Sequence, residues 1–300
     1  MNTDVNIQIG NFEELKAPAK TQSSSSIYSI TVRVLKIFLL TSGIIYGLIC
    51  LMFLLFQNRL IFIPTYNVNQ VPVRSAHSFV NLIIPSSSGQ SISAWFIPSK
   101  NSTGTVLYCR GNKGNMSDDL GIVRTWNKLG YNVMIFDYQG FGMSKGEPSE
   151  LNCYDDADAA ISWLRSNRLL NKKFIIHGRS IGGAVAAKLA QDNKCDGLVI
   201  ESSFTSIPDL GKSRFPFVPQ ALYYNDFPTE ELLKSVDTDV LVMHSPEDKT
   251  IPFNMGQKLF EAAKGEKSFF TLEGDHNDTI IHNPVYLQAL QSFSGSLTNR

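Results

Sequence analysis

Residues Lys173 to Leu189 read KFIIHGRSIGGAVAAKL, and the fold is decided here. Phe174, Ile175 and Ile176 form the short apolar run of a buried strand. Gly178-Arg179-Ser180-Ile181-Gly182 follows, and an Ala-rich helical stretch then runs from Ile181 to about Asp192. Strand, tight turn and helix are the setting in which a G-x-S-x-G pattern carries chemistry. The glycines leave room for a sharp, strained turn, which lifts the central hydroxyl clear of the sheet edge at the helix N-terminus. Ser180 is therefore the candidate nucleophile. Without its flanks the five-residue pattern is a weak signal, because glycine-bearing turns produce it by chance.

The same alternation extends outward from this stretch. Segments 79–85 and 91–98 read as an antiparallel strand pair joined by Ser86-Ser87-Ser88-Gly89-Gln90. Further strands are predicted at 105–109, 131–136, 174–177, 197–200, 240–243 and 268–272. Helices are predicted at 116–129, 150–166, 253–263 and 283–293. Alternating strands and helices predict a mostly parallel central sheet covered by helices on both faces. Ligands then bind beyond the carboxyl ends of the strands.

Lys plus Arg number 27 and Asp plus Glu 27, a formal net charge of zero, so no basic surplus points to nucleic acid. No block recurs as a structural repeat. Cysteines 50, 109, 153 and 195 have neither zinc-site spacing nor a dense framework. Cys50 and Cys109 read as small buried apolar residues. Residues 37–56, IFLLTSGIIYGLICLMFLLF, carry no charge and match the ~20 residues that cross a hydrocarbon core. A signal peptide has a shorter apolar region, and no A-x-A-like cleavage site follows. The expected organisation is a flexible polar tail at 1–33, a transmembrane helix at 34–57 and a catalytic domain at 58–300. Lys16, Lys20, Arg33 and Lys36 precede the span, and Arg59 and Arg74 follow it. That bias puts the N-terminus in the cytoplasm and the large domain on the non-cytoplasmic side. Asn101, Asn115 and Asn277 open N-x-S/T sequons. Two of them lie beside proposed active-site loops, where a glycan would obstruct, so the sequons are expected to be unused.

A serine needs a base. Of the five histidines, His276 lies just after the last strand, in Glu273-Gly274-Asp275-His276-Asn277-Asp278. This puts it at the carboxyl edge and gives the chain order nucleophile, acid, base. His177 and His244 sit at strand ends and read as scaffold. His77 precedes the sheet, and His282 lies on the approach to the last helix. A metal reading of Asp275, His276, Asp278 and His282 has no regular helix to align the ligands, so no metal is expected. The acid is assigned to Asp248, in the loop leaving the strand at 240–243. Its rivals are the adjacent Glu247 and Glu201, which follows the preceding strand; a plain turn or N-cap role is the bland alternative. The oxyanion needs two aimed N–H donors. Ile181 supplies one, and the loop Arg110-Gly111-Asn112-Lys113-Gly114-Asn115 the other, through Asn112 with Lys113 as rival. This loop lacks the phosphate-binding pattern G-x-x-x-x-G-K-[ST]. No cofactor is called for. Asp137 and Tyr138 read as scaffold. A short lid at about 206–229 carries Phe215, Phe217 and Tyr223, an apolar set that suits an acyl-binding wall and equally suits plain packing of a cap.

RGNKGN, FDYQGFGMSKGEPSE (136–150), HGRSIGG, ESSFTSIPDL (201–210), SPEDKTIP and GDHND occur in one order. Together, over about residues 57–295, they resemble the α/β-hydrolase-domain serine hydrolases related to the fungal bud-emergence protein. Several members of that group have an N-terminal membrane anchor. The resemblance implies an α/β-hydrolase fold and a Ser180, Asp248, His276 triad. It also implies ester or thioester hydrolysis on lipid-like acyl substrates, since relatives include monoacylglycerol and lysophospholipid lipases and protein depalmitoylases. Arg110 departs from the His usual in relatives, and Lys113 from a small residue. Both would add positive charge beside the oxyanion loop, either to favour an anionic substrate or simply to be solvated. The expected protein is a membrane-anchored serine hydrolase acting on a lipid or acylated substrate. Acyl transfer through the same acyl-enzyme and a non-catalytic tethered binding or signalling module are the alternatives.

Overall fold

The computed structural model describes Met1 and residues 23–72, 79–277 and 284–297. His77, Asp278 and His282 lie outside the described residues. Contacts divide the chain into two units, residues 1–51 and 52–300. Helix α1, Ser23–Ile61, supplies all of the first unit described beyond Met1 and runs on into the second. From Ile27 to Ile61 it is long and apolar enough to cross a membrane. It begins before the span expected at 34–57 and takes in the serine run at 23–26. No proline or glycine interrupts the chain between Ser23 and Thr41, so nothing local stops helix growth in that direction.

The second unit is built on an eight-stranded sheet. In chain order its strands are β2 (Val80–Pro85), β3 (Ser91–Ile97), β4 (Gly104–Cys109) and β6 (Tyr131–Phe136), then β7 (Lys173–Arg179), β8 (Gly197–Glu201), β9 (Asp239–His244) and β10 (Lys267–Thr271). Their spatial order is β10-β9-β8-β7-β4-β6-β3-β2. Only the β2–β3 and β3–β6 pairs are antiparallel. A separate two-stranded parallel pair joins β1 (Ile63–Pro64) to β5 (Lys113–Gly114). The sequence carries no sign of it, because two residues are too few to show a period.

Every residue of β4 is buried, as a strand covered on both faces requires. Its side chains alternate between two cores. Leu107 and Cys109 join one, with Ala157, Ile161 and Leu164 of α3 (Glu150–Ser166) and the alanines of α4 (Ile181–Asp192). Val106 and Tyr108 join the other, with Ile122 and Trp126 of α2 (Leu120–Lys128) and Tyr286 and Leu290 of α8 (Pro284–Ser296). The helix predicted at 116–129 opens as a 3-10 turn at Met116–Asp119. Asn115 and Asp118 form a reciprocal capping box there. Between β8 and β9 the cap contains α5 (Ile207–Arg214), a 3-10 turn at Gln220–Leu222 and α6 (Thr229–Leu233). Helix α7 (Phe253–Ala262) follows β9. The loops that leave β4, β7, β8, β9 and β10 all emerge at the carboxyl edge, where the candidate residues lie.

Candidate active site

Ser180 occupies the turn between β7 and α4 with φ 55° and ψ −125°, a conformation that non-glycine residues rarely adopt. The surroundings hold it there. The Ser180 amide donates to the Glu201 carbonyl at 2.9 Å, and the Gly183 amide and Ser203 hydroxyl donate to the Ser180 carbonyl at 2.9 and 2.7 Å. A Cβ at position 182 would collide with the Cys109 and Arg110 carbonyls, and one at 178 with the Gly182 carbonyl. Both glycines are thus required by close backbone approach. Gly182→Ala should cost roughly 1–3 kcal/mol by overpacking, seen as a fall of several degrees in thermal midpoint.

Asp248 and His276 come together. His276 Nδ1 lies 2.7 Å from Asp248 Oδ2, and both side chains are buried. Asp248 Oδ1 accepts from the amides of Thr250 and Ile251, each at 2.7 Å, so the main chain orients the carboxylate independently of the imidazole. The rivals go elsewhere. Glu247 Oε2 accepts from the Gly274 amide at 3.0 Å. Glu201 is fully buried among Tyr286 Oη at 2.7 Å, His177 Nε2 at 3.0 Å and Arg179 Nε at 3.2 Å. Trp126 Nε1 donates to the other nitrogen of His177 at 3.0 Å, and His244 Nε2 meets the Ile251 carbonyl at 3.0 Å. His177 is thus held at both ring nitrogens, and His244 Nε2 also lies 3.5 Å from Asp248 Oδ2, behind the acid.

Burial by itself would raise the Asp248 carboxyl, but the hydrogen bond and charge of His276 and two amides outweigh it and hold it below its ordinary range. Glu201 is likewise pushed up by burial and held down further by His177, Arg179 and Tyr286. Each group is more acidic folded than unfolded, so the unfolded chain binds more protons in acid. Their contribution to stability is present above the ordinary carboxylate pKa of ~4 and lost as pH falls through the folded values. The thermal midpoint should fall on acidification below about pH 5, and less steeply in Asp248→Asn.

Arg179 is the functional-looking residue that the motif hides, since it occupies a variable position of G-x-S-x-G. Its guanidinium pairs with Glu201 and donates through Nη2 to the His276 carbonyl, tying the elbow to the histidine loop. The available signal is register: Arg179 and Glu201 are paired neighbours on β7 and β8.

The loop after β4 runs past the elbow, where a Cβ on Gly111 would lie 3.6 Å from the Ser180 Cβ. Arg110 neither offers charge to a substrate nor is solvated. It is 1% exposed, ion-paired to Asp119 at 3.2 Å and Asp137 at 3.7 Å, and its Nη2 donates to the Lys113 carbonyl at 2.7 Å. Burial pushes the Asp137 carboxyl up to about 7, against the pull of Arg110. Lys113 alone is exposed. Tyr138 Oη donates to the Arg110 carbonyl at 3.0 Å from a buried position. Asn115 is fully buried and its amide is engaged with Thr65 and Asn67, so that sequon has no surface for a glycan.

The aromatic residues of the cap separate. Phe215 and Phe217 are 46% and 54% exposed and meet edge to face at 6.2 Å. Tyr223 lies against Gly211 and the Phe53 ring, at 4.8 Å between centroids. Arg214 reaches from α5 to the carbonyls of Lys249 and Thr250, in the loop that carries Asp248. No disulfide joins Cys50, Cys109, Cys153 and Cys195. A cavity of about 620 Å³ lies at the opposite edge of the sheet, among Phe174, Cys195, Asp237 and Thr238, and belongs to none of this chemistry.

A mostly parallel sheet with a strained serine at its strand–helix elbow and a buried His–Asp pair on the loops of its last two strands defines a serine hydrolase-type α/β fold. Residues 100–223 match the Hydrolase_4 family, described as serine aminopeptidase, S33. The membrane protein YNL320W of Saccharomyces cerevisiae is 32% identical over 244 residues, covering 76% of this chain and 85% of that protein. The lysophosphatidylserine lipase ABHD12 of Danio rerio is 32% identical over 184 residues, 54% of this chain and 48% of its own length. The Pyrococcus furiosus esterase Pf2001 superposes with a TM-score of 0.64 at 18% identity, over 78% of this chain and 96% of that one. The chain belongs to the α/β-hydrolase family.

Proposed function

We propose that the protein is a membrane-anchored serine hydrolase that cleaves carboxylic ester or thioester bonds of lipid-like acyl substrates. The observation that carries this reading is the buried Asp248–His276 hydrogen bond beside a strained Ser180 elbow. Ser180 Oγ attacks the acyl carbonyl carbon while His276 Nε2, the ring nitrogen turned away from Asp248, takes its proton. Negative charge develops on the carbonyl oxygen. The Ile181 and Asn112 amides are the proposed donors to it, and neither makes a backbone hydrogen bond among the described residues. The intermediate collapses as His276 returns the proton to the leaving alcohol or thiol. Water then enters, His276 takes a proton from it, and the acyl-enzyme is released as a carboxylic acid with Ser180 restored.

The apolar helix and the lipase among the relatives support the reading of a lipid-like substrate. Helix α1 is proposed as a single-pass anchor, with the catalytic domain on the non-cytoplasmic side. Protease protection of the domain in sealed vesicles is the expected result, and digestion from outside would reverse the orientation. A panel of monoacylglycerols, lysophospholipids and acyl-thioesters tests the activity. Release of free fatty acid from at least one class is expected, and no release from any would reject the proposal.

A further inference from the structure

Residues 57–67 span the last turn of α1, the short strand β1 and the chain just beyond it, and they are bound on two sides. Gln57 is fully buried; its Nε2 donates to the Leu222 carbonyl at 3.0 Å and its Oε1 accepts from the Tyr224 amide at 3.1 Å. Asn58 donates to the Pro148 carbonyl at 3.2 Å and accepts from Asn225 Nδ2 at 2.7 Å. Phe62 is buried and meets the Phe141 and Phe227 rings edge to face, each at 6.3 Å. A buried amide is costly unless its bonds are made, and the Gln57 bonds to Leu222 and Tyr224 are made to main chain, which fixes direction as well as position.

On its other side this same segment grips the loop that passes Ser180. The Ile63 amide donates to the Asn112 carbonyl at 2.8 Å, and the Thr65 amide donates to the Gly114 carbonyl at 3.0 Å. Asn112 Nδ2 donates to the Ile61 carbonyl. Asn115 Nδ2 donates to Thr65 Oγ1 at 2.9 Å and to the Asn67 carbonyl at 2.8 Å. Asn112 is therefore held by its carbonyl and its side chain at once. Two bonds on one residue set its orientation, and the direction of its own N–H is set with them.

We propose that Ile61, the last residue of the apolar helix, and Ile63, in β1 just beyond it, are positioning residues for the hydrolytic reaction, aiming the Asn112 amide through its carbonyl and side chain. This inference rests on the serine hydrolase reading above. The helix is then joined to the chemistry by hydrogen bonds, as well as tethering the domain. The Asn112 side chain is engaged with the Ile61 carbonyl, so replacing it leaves the backbone N–H present and removes the tie to Ile61. Misaiming a preorganised group by about 1 Å costs on the order of 100-fold in rate.

The test uses the full chain in detergent micelles, with Asn112→Ala and Ile63→Pro measured against wild type on a short-chain nitrophenyl ester. Hydrogen exchange of 111–115 and the thermal midpoint are followed in parallel. The expected result is a kcat lowered roughly 10- to 100-fold with KM within about twofold, faster exchange confined to 111–115, and a midpoint within a few degrees of wild type. Unchanged kcat in a folded Asn112→Ala protein with faster exchange would overturn the proposal, as would unchanged exchange in 111–115. If Ile63→Pro does not fold, Asn112→Ala decides alone. Failure of the underlying reading is distinguishable: the wild type would then turn over no ester and take no fluorophosphonate, while the exchange result would still report whether the segment holds the loop.

Discussion

Ser180→Ala should lower ester hydrolysis by about 10⁴- to 10⁶-fold while leaving the fold intact. The size of the loss follows from the chemistry. Without Oγ no acyl-enzyme forms, and what remains is attack by water helped only by the oxyanion donors and by binding. The fold should survive because Ser180 is held through its main chain. Its amide bonds to Glu201, and its carbonyl accepts from Gly183 and Ser203, and all three bonds persist with alanine. Alanine meets the same unfavourable φ of 55° as serine, so the elbow is no more strained than before. Thermal midpoint and kcat measured on one preparation separate the two effects. A variant that kept more than about one hundredth of wild-type kcat would remove Ser180 from the mechanism.

Asp248→Asn should lower kcat by about 10⁴-fold with the geometry of the loop kept. Asparagine still offers an oxygen to the Thr250 and Ile251 amides, which now bond to Oδ1. Its NH₂ then faces His276 Nδ1 and forces the imidazole to carry its proton on Nε2, the wrong nitrogen for a base. Glu247→Gln is the contrast. Its carboxylate bonds to the Gly274 amide, and the amide oxygen of glutamine can replace it, so kcat should stay within about tenfold. Equal losses in the two variants would return the acid to dispute between the neighbours.

The elbow was legible because strand, turn and helix are local: one stretch of seventeen residues, Lys173 to Leu189, carries the apolar run, both glycines and the alanines. Asp248 and His276 lie after successive strands, and parallel topology alone brings those ends to one edge, where a 2.7 Å contact joins them. The charge on Arg110 was visible, but its cancellation was not. That depends on Asp119 and Asp137 folding against it from a helix cap and a separate strand end. The role of Arg179 is hidden from the sequence for a similar reason, since its partners, Glu201 and the His276 carbonyl, lie 22 and 97 residues away. The β1–β5 pair has two residues on each side and a sequence separation of fifty, so neither period nor propensity announces it. What pattern reading recovers is set by local geometry, and what it misses is set by polar partners across the fold.

If Ser180 is the nucleophile of an esterase-like site, a fluorophosphonate should find it, and mapping the adduct by peptide mass spectrometry on the 300-residue protein tests this. A single phosphonyl adduct is expected on the peptide containing Ser180, lost in Ser180→Ala and much slower to form in Asp248→Asn. An adduct on another residue, or none in a folded protein, would contradict it.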